Sequence, residues 1–425
     1  MDIKTKYQYS YFVYPFIVDS NNYEKYLKKL LKDKRCSIRI FDKARDLELY
    51  RGFLPHVNKF MFPTFYMEKD DIQKLKQKSF VPKLNVIKNM SSVTFEYNLG
   101  KRVQGKAGSA DGIFFEIDKI NIICFKIGVC FISIKTRIEH SNCFKDVLNF
   151  NYKFRNVYSK FLDLKDYYNI NIQNNKFDSM KEISDIIKEI VGGFESEKID
   201  DITSDRLFTY SYVCTDSSEW NEKSEFSDIS REFIKFKNVL GYDYANEFND
   251  AKNELENTYS KWKYSIYGFS KLSGVVFTSG IEPFNFTKLP FYYETVYFHI
   301  MILAFLHRIT LLMLLLNPSD RQLRMFVNSE YFNQITNFEH EKNLWDKWQE
   351  TFEIKYLYNQ VNEECILINK NESDNIFLIL FAVIVLLSVV SLIIQITPLK
   401  IVSSIITMLI GMISIIIILL KKYRK

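Results

Sequence analysis

The spacing of apolar and polar positions changes character along this chain. Tyr7–Val18 (YQYSYFVYPFIV) is dense in aromatic and β-branched residues and reads as a strand around Pro15. Ser92–Tyr97 reads the same way, and Gly112–Ile117, Ile120–Ile127 and Val129–Thr136 read as successive strands. Between them, Gly100–Gly112 (GKRVQGKAGSADG) holds four of the thirteen glycines and predicts a loop. From residue 166 to about 260 the chain is polar, with helical patterning around Ser179–Gly193 and again over Tyr244–Tyr264. Glycine and proline break the pattern over residues 265–290. These alternations predict an α+β domain.

Helical periods dominate the rest. Thr295–Leu316 is apolar enough to span a bilayer, but His307 and Arg308 lie inside it. A central arginine costs about 2.5–3.5 kcal/mol there, so the segment is expected to be a buried helix of a helical bundle. Leu344, Trp348 and Phe352 form a stripe that Ile354, Leu357, Val361, Cys365 and Ile368 continue, which predicts one long helix over Glu339–Asn371. Beyond it, Ile376–Ile396 carries no charge over 21 residues and Ile401–Leu420 none over 20. About 20 apolar residues cross a hydrocarbon core, and the linker Thr397-Pro398-Leu399-Lys400 permits only a tight hairpin. The expected organisation is a cytoplasmic α/β sensor domain over 1–290, a helical bundle and stalk over 291–375, and a transmembrane hairpin with a basic tail over 376–425.

The mean hydropathy of -0.14 therefore averages a polar body with an apolar end. The aromatic content of 16% excludes an intrinsically disordered chain. A net charge of +6 over 425 residues does not argue for direct nucleic-acid binding. Lys421, Lys422, Arg424 and Lys425 orient the hairpin, placing the tail and hence the N-terminus in the cytoplasm under the plasma membrane. The start, MDIKTKYQYSYF, lacks the pattern of a signal peptide. The six cysteines include no C-x-x-C pair and read as reduced, buried thiols. The five histidines are scattered, no metal site is expected, and no P-loop, HExxH, GxSxG or dinucleotide fingerprint occurs. The chain is expected not to be an enzyme.

Polar residues within the spans carry the next inference. Ser388, Ser391 and Gln395 share one face of the first span. That face either lines an aqueous path or makes interhelical hydrogen bonds. Ser403, Thr407, Gly411 and Ser414 share a face of the second span with the small-residue spacing of close helix packing. One hairpin encloses no channel, so conduction requires a homo-oligomer in the lipid bilayer.

The order of long helix, span, short loop, span and basic tail resembles the CorA-like divalent-cation channels. That resemblance implies a ring-shaped oligomer, typically a pentamer, with the first span lining the pore. The family's Gly-Met-Asn signature is replaced here by Gln395-Ile396-Thr397-Pro398. In the N-terminal half, Ile127-Gly128-Val129-Cys130-Phe131-Ile132-Ser133-Ile134 and Asp146–Arg155 (DVLNFNYKFR) resemble the CorA-like membrane effectors of type III CRISPR systems, as does Tyr14-Pro15-Phe16. This implies a domain that senses a nucleotide second messenger such as S-adenosylmethionine joined to AMP, and a membrane part that opens or deforms in antiviral defence. A Mg²⁺ channel lacking the signature is the alternative function, and a membrane-anchored scaffold a third.

A phosphoester ligand needs cations or amides around its phosphate. Lys135, Arg137, Asn149, Asn151 and Arg155 supply such groups in the family-like segment, and Lys101, Arg102 and Lys106 in the glycine-rich loop. The same residues also fit a solvated basic surface.

Overall fold

The computed structural model describes residues 3–99, 103–107, 113–138, 143–155, 170–172, 175–177, 186–194, 206–216, 230–240, 255–367 and 385. Both expected spans, Val385 apart, lie outside the described residues. So do Ser388, Ser391, Gln395, Ser403, Thr407, Gly411 and Ser414. By compactness the chain divides into Met1–Asn317 with Arg321–Val361, and Pro318–Asp320 with Asn362–Lys425. The helices that follow residue 290, up to Val361, thus belong largely to the unit that holds the sheet.

That unit is mixed α+β and is built on a twelve-stranded sheet. Its central strand is β1 (Thr5–Ile17). On one side of β1 come β6 (Val129–Ile138), β5 (Ile113–Phe125), β4 (Val103–Ala107), β7 (Ile170–Ile172) and β8 (Asn175–Phe177). On the other come β9 (Phe208–Thr215), β12 (Ser273–Ser279), β11 (Ser265–Phe269) and β10 (Thr258–Tyr259). β3 (Ser92–Tyr97) pairs with β5, and β2 (Cys36–Ile38) with β3. Only the β12–β9 pairing is parallel among the described pairs.

Pro15 fits inside β1 because of where its neighbours stop. The β9 ladder ends at Val13↔Phe208, whereas β6 continues to Ile17↔Val129. Val18 donates its N–H to the Gly128 carbonyl on the β6 side at 2.8 Å. Backbone alternation then turns the Pro15 nitrogen to the other side, past the described end of the β9 ladder. Gly128 turns the β5–β6 hairpin at φ +100°, and a Cβ there would stand 2.4 Å from the Val18 carbonyl oxygen. Only glycine fits that approach.

Several expectations are corrected. The two strands expected over Gly112–Ile117 and Ile120–Ile127 are one described strand, Ile113–Phe125, because a register shift between Ile117 and Lys119 absorbs the polar Asp118 as a bulge. The predicted loop Gly100–Gly112 contains β4, held by partners on both edges. The described end of the predicted Tyr244–Tyr264 helix holds β10 instead. The Glu339–Asn371 helix is two helices, Glu339–Thr351 and residues 354–367, separated at Phe352–Glu353 with Glu353 at φ +55°. Phe352 and Ile354 are two positions apart, a turn of about 200° in a continuous helix. The left-handed residue resets the phase, so both side chains are fully buried.

The helix Phe298–Leu316 continues an apolar run from Leu289 that is long enough to cross a membrane, yet most of it lies inside the protein. Phe305 packs on Phe131 and Phe208 at 5.4 and 5.1 Å, and Phe298 on Tyr11 at 4.6 Å. Its His307 and Arg308 each find a backbone carbonyl within the protein. The His307 Nε2–H donates to the Glu330 carbonyl at 2.8 Å, and Arg308 donates to the Phe352 carbonyl at 3.3 Å.

Candidate functional site

The strands decide which nominated residues meet. In β1 and β9 tyrosine alternates with small polar residues, and the register sets Tyr9 opposite Tyr212, Ser10 opposite Ser211 and Tyr11 opposite Tyr210. Tyr9, Tyr11, Tyr210 and Tyr212 therefore face one side and both serines the other. On the tyrosine face, Tyr9 donates to the Pro290 carbonyl at 2.6 Å, and Tyr212 donates to the Asn285 carbonyl. Tyr210 stacks on Tyr293 with ring centres 4.1 Å apart. This ladder docks the segment that leads into the Phe298–Leu316 helix.

Lys135 and Arg137 share the tyrosine face, and each is already engaged. Lys135 Nζ lies 2.5 Å from the Glu294 carboxylate and 4.8 Å from the centre of the Tyr9 ring. Arg137 sits opposite Glu116 across β5 and β6, 2.8 Å from its fully buried carboxylate. Burial raises the Asp118 carboxyl, against the lowering pull of Lys135 and Arg137.

Asn151 and Arg155 occupy the opposite face, on and just after the helix Phe144–Phe154. Ser10 Oγ donates to Asn151 Oδ1 at 2.8 Å, the Asn151 amide donates to Ser211 Oγ at 3.1 Å, and the two serine hydroxyls are 2.8 Å apart. Arg155 is buried, stacks over Tyr152 at 5.4 Å, and accepts from Leu207 through its carbonyl at 2.6 Å. Asn149 lies on the same helix. Lys101 and Arg102 lie outside the described residues. Lys106 is placed only by register, opposite Phe114 and Asn171. Lys135 and Arg137 thus lie on one side of the sheet and Asn151 and Arg155 on the other, so these four do not meet around one ligand.

Among the described residues, clefts that open elsewhere include two. The first, about 1070 Å³, lies over Lys59, Tyr66, Lys74, Asn85 and Asn89. Its Lys74 is paired with Asp71 at 2.7 Å. The second, about 770 Å³, has walls of Trp262, Tyr264, Phe284, Tyr292 and Phe338, brought together from three separate stretches of chain. Three of these are exposed: Trp262, Phe284 and Phe338. Tyr267, His340 and Glu341 also line it, with Glu48, Glu282, Arg51 and Lys263 as its other charged groups. Burial lowers His340 to about 4, so the ring is neutral at pH 7. Burial also raises the Glu341 carboxyl. A half-buried aromatic slot with a few polar groups is the common form of a small-molecule site. Sequence inspection missed it because these residues are neighbours only after β11, β12 and the following helices assemble. The exposed tryptophan in a polar stretch, Lys261-Trp262-Lys263, was the one local signal.

Among the described residues no group of three or more His, Cys, Asp or Glu could hold a metal ion. No family model, curated protein or solved structure matches the chain.

Proposed function

We propose that this chain is a ligand-gated membrane effector. The α+β unit binds a nucleotide signal and the helices beyond residue 339 carry the change. Hairpins of 376–396 and 401–420 assemble as a homo-oligomer around an ion path in the plasma membrane, with both termini cytoplasmic. The observation that carries this reading is the pair of uncharged runs, 21 and 20 residues long, joined by a four-residue linker next to a folded unit. The Leu289–Leu316 run supports the count of two crossings, because most of its side chains are used inside the protein. The resemblance to the CorA-like effectors of type III CRISPR systems supports S-adenosylmethionine joined to AMP as the signal and antiviral defence as the role.

By linkage, the ligand must bind the open state more tightly than the closed state. The test is ion leak from liposomes that contain the full chain. Leak only after S-adenosylmethionine–AMP is added is the expected result, and equal leak with no nucleotide overturns the reading. Ser391→Leu with Gln395→Leu changes the conductance if that face is wet and leaves it unchanged if the face only packs.

A further inference from the structure

The walls of the aromatic cleft are open to solvent. Trp262 and Phe338 are 56% and 51% exposed, and Phe284 is exposed beside Tyr292, with ring centres 6.3 Å apart. An aromatic face is electron-rich and attracts cations. Two lysines already use such faces here: Lys261 lies over Trp262 at 5.5 Å and Lys263 over Tyr264 at 5.3 Å. The charges that line the cleft are sorted by depth. Glu48 and Glu341 are half-buried, whereas Arg51, Lys263 and Glu282 are exposed. Water screens the outer charges more than the inner ones, so the inner field is set by carboxylates. Lys261 lies near Glu341 but pairs with Glu339 at 2.9 Å, and burial still raises the Glu341 carboxyl. Two neutral donors of the cleft are spent. Asn285 gives its amide hydrogens to the Tyr264 and Ser279 carbonyls at 3.0 and 2.9 Å, and the Tyr292 hydroxyl donates to Glu48. Open ring faces, inner carboxylates and spent donors suit a cation that needs no hydrogen bonds of its own.

We infer that this cleft binds a quaternary ammonium, the trimethylammonium group of a choline-type ligand. Its methyl groups pack on the faces of Trp262, Phe284 and Phe338, and Glu341 and Glu48 balance its charge. A primary ammonium has N–H groups that the rings do not replace water for, so its desolvation costs more. The trimethylammonium group is common to a free small molecule and to a lipid headgroup. The inference is separate from the nucleotide signal proposed above and rests on the cleft alone.

The test is titration of the full chain in maltoside micelles, read by calorimetry and by thermal shift. The probes are choline, its uncharged isostere with a tert-butyl group in place of trimethylammonium, ethanolamine and glycerophosphocholine. Choline is expected to bind at least about tenfold more tightly than the isostere or ethanolamine. Equal affinity for choline and either of these overturns the inference, as does no choline binding at tens of millimolar. Trp262→Ala is expected to weaken choline about tenfold and to leave the ligand-free Tm unchanged, because the side chain is exposed. Unchanged choline affinity in that variant overturns the inference. Glu341→Gln keeps the shape and removes the charge, so choline is expected to bind about fivefold more weakly and the isostere as before. An equal loss for both ligands overturns the role given to the charge. Choline tighter than glycerophosphocholine assigns a free ligand, the reverse order assigns a lipid headgroup, and both support the cage. No readout here uses a nucleotide or ion leak, so failure of this inference leaves the membrane reading to its own test.

Discussion

Asn151 lies in the segment that resembles a nucleotide sensor, yet it joins helix to sheet through Ser10 and Ser211. Asn151→Ala separates the two roles. The side chain is 1% exposed and makes two side-chain hydrogen bonds. Each is worth about 1 kcal/mol net. A void of roughly 40 Å³ at about 24 cal/mol per Å³ adds about 1 kcal/mol. The Ser10–Ser211 contact survives at 2.8 Å, so neither hydroxyl is stranded. The expected loss is about 3 kcal/mol, or a drop of roughly 4 °C in Tm for a unit of this size. The assay is denaturant and thermal unfolding of the ligand-free chain, with Ser211→Ala and the double variant completing a cycle. A coupling of about 1 kcal/mol between the two positions is expected. A ligand-free Tm within 1 °C of wild type, together with a lost ligand-induced shift, would refute the structural role and return Asn151 to the ligand site.

Three further outcomes follow from single residues. Glu330 has one buried carboxylate oxygen without a partner, and burial raises its pKa from 4.5 to about 7. The folded state therefore holds a proton that the unfolded state has released, so stability falls as pH rises from about 4.5 through 7, by at most about 3 kcal/mol. Glu330→Gln should flatten that slope between pH 5 and pH 8 in urea titrations, and an unchanged slope counts against it. Glu353→Gly should raise stability by about 0.5–1 kcal/mol, because its φ of +55° suits glycine and the exposed pair with Lys271 contributes little. A loss of stability would show that the left-handed turn is not strained. Gly274→Ala would set a Cβ 2.7 Å from the Trp348 ring and 2.9 Å from Tyr210, so a loss of about 2–3 kcal/mol is expected in chemical denaturation. A neutral result would mean that Trp348 moves freely.

Much of the sheet was legible because a strand writes itself in short range. Ser92–Tyr97 is β3 as the alternation predicts, and the Tyr7–Val18 run contains most of β1. The errors fall where a neighbour overrode local preference. Asp118 looked like a turn until β6 held both sides of it in one ladder, and β4 looked like a loop until β5 and β7 paired with it. The stripe across Phe352 and Ile354 looked continuous, although its two-residue step cannot stay on one face of one helix.

By itself the sequence determined the chemical texture of this protein: an α+β body, the apolar runs 376–396 and 401–420, and an apolar segment at 295–316 whose His307 and Arg308 needed partners. Those properties depend on composition and on spacings of two to four residues. Only the tertiary structure decided which side of the sheet each cation faces. Lys135 and Arg137 were parted from Asn151 and Arg155, because one group follows the pleat of β6 and the other rides a helix across the sheet. Only tertiary packing likewise brought Trp262, Tyr267, Phe284, Phe338 and His340 around one cleft. A pocket is made by contacts between residues far apart in the chain, and no local pattern records them.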